Sequence, residues 1–268
     1  MWSSLDQVQS LLLWGETIAM TNDLFDMSGQ VAVITGGSRG LGLQMALAFA
    51  NLGADIVIAS RKLDACEAAA RQVEALGRRA LPYACHVGDW DALEGLSDAA
   101  FSAFGKVDIL VNNAGMSPLT PSSAATSEAL FDKVIGVNFK GPFRLSALIG
   151  SRMNAQATGG VILNISSVAA IRPSPAFGPY AGAKAGLNAL TTVFALEYSP
   201  KVRCNTIMAG PFLTDIARAW SIEARERAGN ILGRPGQPDE IVTAAIYLCS
   251  RASSFTTGSV IEVSGGSR

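Results

Sequence analysis

The stretch Val31-Ala-Val-Ile-Thr-Gly-Gly-Ser-Arg-Gly-Leu-Gly42 decides the fold of this 268-residue chain. Its first five residues are mostly β-branched, which predicts a short buried strand, and an amphipathic helical pattern then runs through Ala50. The glycines between them permit a tight turn and a close approach of the backbone to a ligand. Because the helix begins with free N–H groups, this strand–turn–helix unit predicts a binding site for the phosphates of a dinucleotide.

A second pattern, Tyr180-Ala-Gly-Ala-Lys184, places a phenol and an ammonium group on the same face of a helix, one turn apart. A nearby positive charge favours the phenolate, so we expect Lys184 to lower the pKa of Tyr180. Such a tyrosine can exchange a proton with an alcohol or a carbonyl. The apolar run before it predicts a strand that ends at Ser167, and open α/β sheets place their chemistry at such carboxyl ends.

These residues resemble the short-chain dehydrogenase/reductase family, in particular its 3-oxoacyl reductase-like members, over nearly all of the chain after residue 28. The family's motifs are matched in order at Thr35–Gly42, Asn112–Gly115, Asn138, Ser167, Tyr180, Lys184 and Gly210–Thr214. Two positions depart from the family pattern. Ala209 replaces a proline next to Gly210, and Ser264 replaces an aspartate near the C-terminus.

The resemblance implies an enzyme that transfers hydride between a nicotinamide cofactor and a carbonyl or a secondary alcohol. Tyr180 would exchange the proton and Ser167 would bind the substrate oxygen. Lys184 would also bind the nicotinamide ribose, and Asn138 would support a water that relays protons. The residues expected to contact the cofactor, besides Tyr180 and Lys184, are Gly36, Ser38, Arg39, Gly40, Leu41, Gly42, Ser60, Arg61, Lys62, His86, Val87, Asn113, Ala114, Gly115, Gly210 and Thr214.

The end of the second predicted strand indicates which nicotinamide cofactor is used. A preference for NAD(H) usually requires an acidic side chain there, which accepts from the ribose 2′-hydroxyl. This strand ends in Ser60-Arg61-Lys62, and Arg39 adds a further cation from the glycine-rich turn. Because guanidinium groups suit phosphate oxygens, we expect NADP(H), with NAD(H) as the weaker alternative.

Composition agrees with one large α/β domain. The chain is 49% hydrophobic and 16% charged, and its net charge of −1 offers no electrostatic attraction for nucleic acid or an anionic membrane. Its four cysteines lack C-x-x-C spacing and are interpreted as reduced, buried thiols of a cytoplasmic protein. No metal site is expected, because no His/Cys/carboxylate group has ligand spacing.

Strand patterns alternate with helical patterns along the chain, which favours a parallel sheet covered on both faces. The predicted fold is therefore α/β, a single doubly wound, Rossmann-type sheet of seven parallel strands with helices on both faces. The strands are expected near 31–35, 55–60, 80–84, 107–112, 160–166, 202–208 and 259–263, and the helices near 40–52, 63–76, 89–104, 127–154, 180–198 and 237–250.

Residues 1–28 are predicted to be a separate N-terminal extension, and residues 29–268 the catalytic domain. An apolar helical stripe is possible in the extension, at Trp2, Leu5, Val8 and Leu12. Three interpretations stay open: a poorly ordered extension, a start assigned too early with Met20 as the true one, or a helix that docks on a neighbouring subunit. No basic residue precedes Arg39, which argues against a secretory or transit peptide.

Two loops are expected to close the substrate pocket, and their side chains are mostly apolar. They are Val168–Phe177, which offers Ile171, Pro173, Pro175 and Phe177, and Phe212–Gly233, which offers Phe212, Leu213, Ile216 and Trp220. An apolar ketone is therefore expected as substrate. A 3-oxoacyl thioester is the second possibility, since Arg172 and Arg218 could bind an acidic head group.

Three other functions stay open: a sugar or polyol dehydrogenase, an enoyl-thioester reductase, and a non-catalytic nucleotide sensor of the same fold. Related enoyl reductases generally lack the tyrosine in this arrangement, and degenerate members typically lose the tyrosine or the lysine. The helix around Tyr180–Ser199 is apolar nearly all round. We therefore expect a homodimer or a homotetramer with twofold interfaces.

Overall fold

The computed structural model describes residues 23–266, with the exception of 216, 218–221, 223–225 and 227. Within this part the chain forms one sheet of seven parallel strands. The strands are β1 (Val31–Thr35), β2 (Asp55–Ser60), β3 (Ala80–Ala84), β4 (Ile109–Asn112), β5 (Gly160–Ser167), β6 (Val202–Ala209) and β7 (Val260–Val263). The α-helices are α1 (Gly40–Asn51), α2 (Leu63–Glu74), α3 (Ala92–Phe104), α4 (Glu128–Ile135), α5 (Gly141–Ala155), α6 (Gly178–Glu197) and α7 (Val242–Cys249).

The strands lie in the order β3-β2-β1-β4-β5-β6-β7. The chain leaves β1 for β2 on one side and later returns with β4 to the other side of β1. The strand order therefore reverses between β1 and β4. The predicted doubly wound sheet of seven parallel strands is confirmed.

Helices cover both faces of the sheet. Successive residues of a strand point to opposite faces, so Ile34 packs in one core with Met45 of α1, while Val33 packs in the other with Ile149 of α5. Helices α1, α2 and α7 cover the first face, and α3, α5 and α6 cover the second. Because β1 is buried on both faces, its sequence is a continuous apolar run rather than an alternating one.

The helical pattern predicted over 127–154 is divided in the structure. Helix α4 ends at Ile135, a π-helical turn spans Gly136–Lys140, and α5 begins at Gly141. Gly141 lies so close to the carbonyl oxygen of Val87 that no Cβ would fit there. The wider turn places Asn138 in the interior, with its side chain fully buried. Turns of this kind occur often at functional sites.

The predicted extension lies mostly outside the described residues, including Trp2, Leu5, Val8 and Leu12. Met27 is fully buried in the core and its N–H donates to the carbonyl of Leu52 at 2.8 Å. At least the end of the predicted extension thus packs with the domain. Because residues 1–22 are not described, the division of the chain at residue 28 stays a prediction. All four cysteines are buried and free, as predicted. No helix of the described part combines the length and the hydropathy that crossing a bilayer requires.

Candidate active site

The predicted site residues follow the carboxyl ends of neighbouring strands. The glycine-rich turn follows β1, Asn113–Gly115 follow β4, and Ser167 ends β5. In open α/β sheets, ligands bind in the crevice where the strand order reverses, which here lies between β1 and β4. The fold therefore brings residues from distant parts of the sequence to one edge of the sheet.

The glycine-rich turn is shaped by the side chain of Asn113. Gly36 has a φ of +65°, and Asn113 donates from Nδ2 to the carbonyls of Thr35 at 2.9 Å and Gly36 at 3.3 Å. A Cβ on Gly36 or on Gly42 would collide with this amide group. The two glycines therefore leave room for a side chain of the protein itself. This contact holds the turn after β1 against the turn after β4.

Thr35 stabilises the same junction through its hydroxyl group. Its Oγ1 donates to the carbonyl of Val111 at 3.2 Å and accepts from the N–H groups of Asn113 and Ala114 at 3.0 and 3.1 Å. Thr35 is almost completely buried, so these bonds are shielded from water. The sequence motif includes this threonine, but its role as a link between β1 and β4 becomes visible only in the structure.

The start of α1 fits the phosphates of a dinucleotide. The helix begins at Gly40, whose φ of +56° favours glycine, directly after the turn that follows β1. A helix leaves its first N–H groups without intrahelical acceptors, and they attract anions. Leu41 and Gly42, two residues predicted to contact the cofactor, lie in this first turn. The turn, the helix start and the strand order together fit a nicotinamide dinucleotide.

Next to this turn lie the residues expected to recognise the adenosine ribose. Ser38 donates to Ser60 at the end of β2, with 2.9 Å between the two hydroxyl oxygens. Arg61 and Lys62 are exposed directly after β2. Arg39 forms an ion pair with Asp215, whose carboxylate lies 2.8 Å from its guanidinium. A local sequence pattern could not predict this ion pair, because its two partners lie 176 positions apart in the chain.

His86 and Val87 follow β3 at the same edge of the sheet. The exposed ring of His86 accepts a hydrogen bond at Nδ1 from the N–H of its near neighbour Gly88, at 3.1 Å. The ring of His86 therefore stabilises the turn after β3 in which it lies. Val87 is partly buried and lies against Gly141 at the start of α5. Neither residue contributes a polar side chain to the cluster around Tyr180.

Ser167, Tyr180 and Lys184 come together between β5 and α6. Ser167 accepts from the N–H of Ala169 at 3.2 Å, which leaves its own proton available, and it hydrogen-bonds the hydroxyl of Tyr180. Lys184 follows Tyr180 by one helical turn and is almost completely buried. Its Nζ donates to the carbonyl of Ile165 at 2.8 Å and lies 5.8 Å from the centre of the Tyr180 ring.

The pKa of Tyr180 shifts in the direction opposite to the prediction. Burial raises it above the usual value of a phenol, and the hydrogen bond from Ser167 opposes that shift only in part. The expected net lowering was wrong for this arrangement, because the cost of burying the charged phenolate is the largest contribution to the shift. Burial also lowers the pKa of Lys184 to about 8. Both shifts favour the uncharged form of the group.

Asn138 binds the turn that follows β4 to the π-helical turn. Its Nδ2 donates to the carbonyls of Met116 and Val134, both at 2.9 Å, and its Oδ1 accepts from the N–H of Met116 at 3.2 Å. Gly115 lies between Asn138 and Lys184, since a Cβ there would be 3.0 Å from the Asn138 oxygen and 3.7 Å from the Lys184 nitrogen. The side chain of Asn138 thus lies near Lys184 and bonds to backbone groups.

The segment after β6 packs against the glycine-rich turn. Gly210 lies directly against the backbone of Ser264, with no room for a Cβ, and its N–H donates to the carbonyl of Val263 at 2.9 Å. The methyl group of Thr214 would lie 3.5 Å from a Cβ on Gly40. Both residues are therefore near the predicted cofactor site. The two departures from the family pattern, Ala209 and Ser264, are buried and leave these contacts in place.

The apolar residues expected to line the substrate pocket differ in how far they are exposed. Ile171 is 55% exposed, and Phe177 packs edge-on against Tyr180 with 6.3 Å between ring centres. Phe212, however, is buried against Gly236 and belongs to the core under α7, so its assignment to the pocket wall was wrong. Arg172 lies 3.8 Å from Glu262 on β7. Ile216, Arg218 and Trp220 lie outside the described residues.

Sequence reasoning missed a buried polar network beneath the site. Asn112 donates from Nδ2 to Ser146 and to Asn164, both at 2.9 Å, and Asn164 in turn donates to Thr191 at 2.9 Å. These bonds connect β4, β5, α5 and α6. The only signal in the sequence is a polar residue inside each apolar run, and such a signal does not reveal which residue is the partner.

Comparison with known proteins identifies the family. The sequence profile of a family described as enoyl-(acyl carrier protein) reductase matches residues 36–268. An uncharacterized oxidoreductase of Mycobacterium tuberculosis is 39% identical, with 92% of this chain and 95% of the relative aligned. The 7α-hydroxysteroid dehydrogenase of Escherichia coli K12 is 34% identical, with 91% and 96% aligned. The chain belongs to the short-chain dehydrogenase/reductase family. It is an oxidoreductase that acts on CH–OH groups.

Solved structures of other short-chain dehydrogenases agree with this assignment. One from Mycobacterium marinum superimposes with a TM-score of 0.86 at 32% identity, covering 91% of this chain and 97% of that one. A 7α-hydroxysteroid dehydrogenase solved with NADH and 7-oxoglycochenodeoxycholic acid has the same TM-score at 34% identity, covering 91% and 96%. The short-chain dehydrogenase fold of this chain is therefore one that binds a nicotinamide cofactor.

Proposed function

We propose that this short-chain dehydrogenase uses NADP(H) to interconvert an apolar ketone, or a 3-oxoacyl thioester, and the corresponding secondary alcohol. The observation that carries the proposal is the cluster at the carboxyl edge of the sheet. Ser167 hydrogen-bonds Tyr180 there, and Lys184 lies one helical turn further along, beside Asn138 and Gly115. All the side chains that carbonyl reduction requires from the protein are present together.

The bound nicotinamide cofactor supplies or accepts the hydride. In the direction of reduction, Tyr180 donates its proton to the carbonyl oxygen, and Ser167 holds that oxygen by a hydrogen bond. The raised pKa of Tyr180 suits this role, because the phenol keeps its proton at neutral pH. The ammonium of Lys184 stabilises the phenolate that remains. Oxidation of the alcohol runs through the same groups in reverse.

Lys184 and Asn138 both lie close to Gly115, where they support proton supply. Both polar groups lie within 3.7 Å of the position that a Cβ on this residue would occupy. We assign Asn138 to positioning the Gly115–Met116 turn and to supporting a water that passes protons to Lys184. We assign Lys184 a second role, in binding the nicotinamide ribose.

The preference for NADP(H) is supported by the charges around the end of β2. Ser60 stands where an NAD(H)-dependent enzyme usually has an acid, and Arg61 and Lys62 are exposed beside it. Arg39 lies in the adjacent turn. A 2′-phosphate would find charge-assisted hydrogen bonds here, and we expect about 10²-fold higher kcat/KM for NADPH than for NADH. Removal of the Arg61 side chain reduces that ratio.

The preference for an apolar substrate is supported by the loop after β5 and by the relatives. Phe177 packs against the ring of Tyr180, and Ile171 of the same loop offers exposed apolar surface. Two relatives are named for steroid alcohols, the 7α-hydroxysteroid dehydrogenase of Escherichia coli and a 3β-hydroxysteroid dehydrogenase of Eggerthella lenta, which is 35% identical over 247 residues. We therefore place cyclic ketones, steroid-sized ones included, first among the substrates.

A spectrophotometric screen with NADPH and NADH tests the proposal directly. The panel contains cyclic and aryl ketones, a 3-oxoacyl thioester, an enoyl thioester, and gluconate for the oxidation direction. We expect turnover of the ketones with NADPH. Turnover of gluconate alone would instead support a polyol dehydrogenase. Turnover of the enoyl thioester alone would support an enoyl reductase. Cofactor binding without turnover of any substrate would support the nucleotide sensor.

We further propose that the enzyme is a cytoplasmic homodimer or homotetramer that uses the exposed face of α6 as an interface. Nucleic acid and membranes are not among the proposed partners.

A further inference from the structure

The ion pair between Arg39 and Asp215 joins the two segments that flank the predicted adenosine site. Arg39 precedes the first residue of α1, and Asp215 lies in the segment that follows β6. Their side chains approach to 2.8 Å. Thr214, the neighbour of Asp215, lies against Gly40, the neighbour of Arg39. The ion pair is therefore part of a continuous contact between two parts of the chain.

The position of Arg39 makes this pair relevant to nucleotide recognition. The preceding residue, Ser38, is hydrogen-bonded to Ser60, which ends β2. The turn that carries Arg39 is thereby fixed beside the point where the ribose 2′-substituent is recognised in this kind of fold. A carboxylate within 2.8 Å of the guanidinium lies close to the same point.

Asp215 acts against a 2′-phosphate because it occupies the guanidinium of Arg39 that the phosphate would use. The pair remains open to competition, since the Arg39 side chain is 64% exposed and that of Asp215 is 30% exposed. Because ion pairs at this exposure are weak, a doubly charged phosphate with bidentate geometry can displace the carboxylate.

We propose that Asp215 is a specificity-determining residue that limits the preference for 2′-phosphorylated nucleotides by competing for Arg39. Binding of such a nucleotide exchanges the carboxylate partner of Arg39 for the phosphate. The proposal rests on the proposed function in one respect, namely that the adenosine ribose lies beside Ser60 and Arg39.

Equilibrium binding of NADPH and NADH, followed by nicotinamide fluorescence at low ionic strength, tests the proposal without any turnover. The quantity to compare is the ratio of the two dissociation constants, Kd(NADH)/Kd(NADPH). It is measured for the native protein, Asp215→Asn, Arg39→Ala and the double variant. Asp64→Asn is the matched control, because it removes an exposed acid from the first turn of α2, close to Arg61.

We expect Asp215→Asn to raise the ratio about 3- to 5-fold, as the loss of one partly exposed ion pair predicts. In the Arg39→Ala background the same substitution should change the ratio by less than about 1.5-fold, because the residue it competes for is absent. Asp64→Asn should leave the ratio within about 1.5-fold of the native value. The affinity for NADH should stay the same in Asp215→Asn and Asp64→Asn, and a native-like circular dichroism spectrum should show that every variant is folded.

Two results would overturn the inference: an unchanged ratio in Asp215→Asn, or an equal rise with and without Arg39. A native ratio near one that rises in Asp215→Asn would support the inference and contradict the proposed preference for NADPH. A native preference for NADPH that stays unchanged in Asp215→Asn would support the proposed preference for NADPH and contradict the role of Asp215. The two proposals can therefore fail separately.

Discussion

At the scale of single residues, burial controls the acid–base chemistry of the site. Tyr180 and Lys184 are one helical turn apart, yet the pKa of the phenol rises and the pKa of the ammonium falls to about 8. Desolvation is the largest cause of both shifts, and it penalises whichever form carries the charge. The free enzyme at neutral pH thus holds a protonated tyrosine, which is the form that reduction of a carbonyl requires.

The first prediction concerns Tyr180 itself. Replacement by Phe removes the proton donor and keeps the ring that packs against Phe177, so kcat should fall at least ~10²-fold. Nicotinamide fluorescence should show little change in cofactor affinity. As a matched control, Tyr247→Phe removes a phenol that hydrogen-bonds Thr256 away from the site, and it should keep most of the activity. Comparable activity of Tyr180→Phe and the native enzyme would refute the proposed mechanism.

The second prediction is a pH profile set by Lys184. Its pKa is lowered from the usual value to about 8, so the ammonium is lost as the pH rises through that value. We expect kcat/KM for ketone reduction to decline about tenfold per pH unit above it, because the phenolate loses its stabilising charge. Oxidation of the alcohol should not decline in the same range. A reduction profile that is flat from pH 6 to about 9.5 would contradict the assignment of Lys184.

At the scale of elements, the π-helical turn determines the position of Asn138. A regular helix over 127–154 would give this residue only its ordinary neighbours along the helix. In the structure, Nδ2 of Asn138 reaches Val134 within the helix and also Met116 in the turn after β4. One side chain therefore connects a helix to the strand end that bears Gly115. The geometry near Lys184 depends on this connection.

The third prediction tests that connection with Asn138→Ala. Loss of the amide leaves the partly buried backbone groups of Met116 and the buried carbonyl of Val134 without their side-chain partner, so the free energy of unfolding should fall by about 1–3 kcal/mol in a urea titration. The activity of the remaining folded enzyme should fall as well. Asn51→Ala is the control, because exposed Asn51 makes the same bond to the carbonyl four residues earlier, at Leu47. We expect a cost below about 0.5 kcal/mol for the control, and equal costs would contradict the connecting role.

At the scale of the whole molecule, α6 has one side on the core and another in solvent. The buried side includes Leu187 and Phe194. The opposite side carries a row of small and apolar residues at helical spacing: Gly182, Ala185, Ala189, Val193 and Leu196, all exposed. Val193 is 48% and Leu196 76% exposed. An apolar row of this kind is typical of an interface between subunits.

The fourth prediction concerns assembly. Light scattering at micromolar concentration should show a dimer or a tetramer for the native chain, and Leu196→Glu should lower the mass, because it places a charge in the proposed interface. Leu76→Glu is the matched control. Leu76 is an exposed leucine beyond the end of α2, and its replacement should leave the mass unchanged. A native monomer, or equal masses for native and Leu196→Glu, would contradict the predicted interface.

The sequence by itself determined the seven-stranded parallel sheet, and its motifs contain the residues to which we assign the chemistry. The bounds of β1, β2 and β3 agree with the prediction, because apolar runs and flanking glycines are local signals. The family motifs likewise pointed to Ser167, Tyr180 and Lys184, which the fold places in one cluster. Local patterns suffice for such features, since each depends on neighbours along the chain.

The tertiary structure alone decided the features that depend on burial and on distant contacts. It determined the direction of the Tyr180 pKa shift, the burial of Phe212 and the pairing of Arg39 with Asp215. Each of these depends on which groups lie nearby in space and on how much water they exclude. That information is distributed over residues far apart in the sequence, so a local pattern cannot contain it.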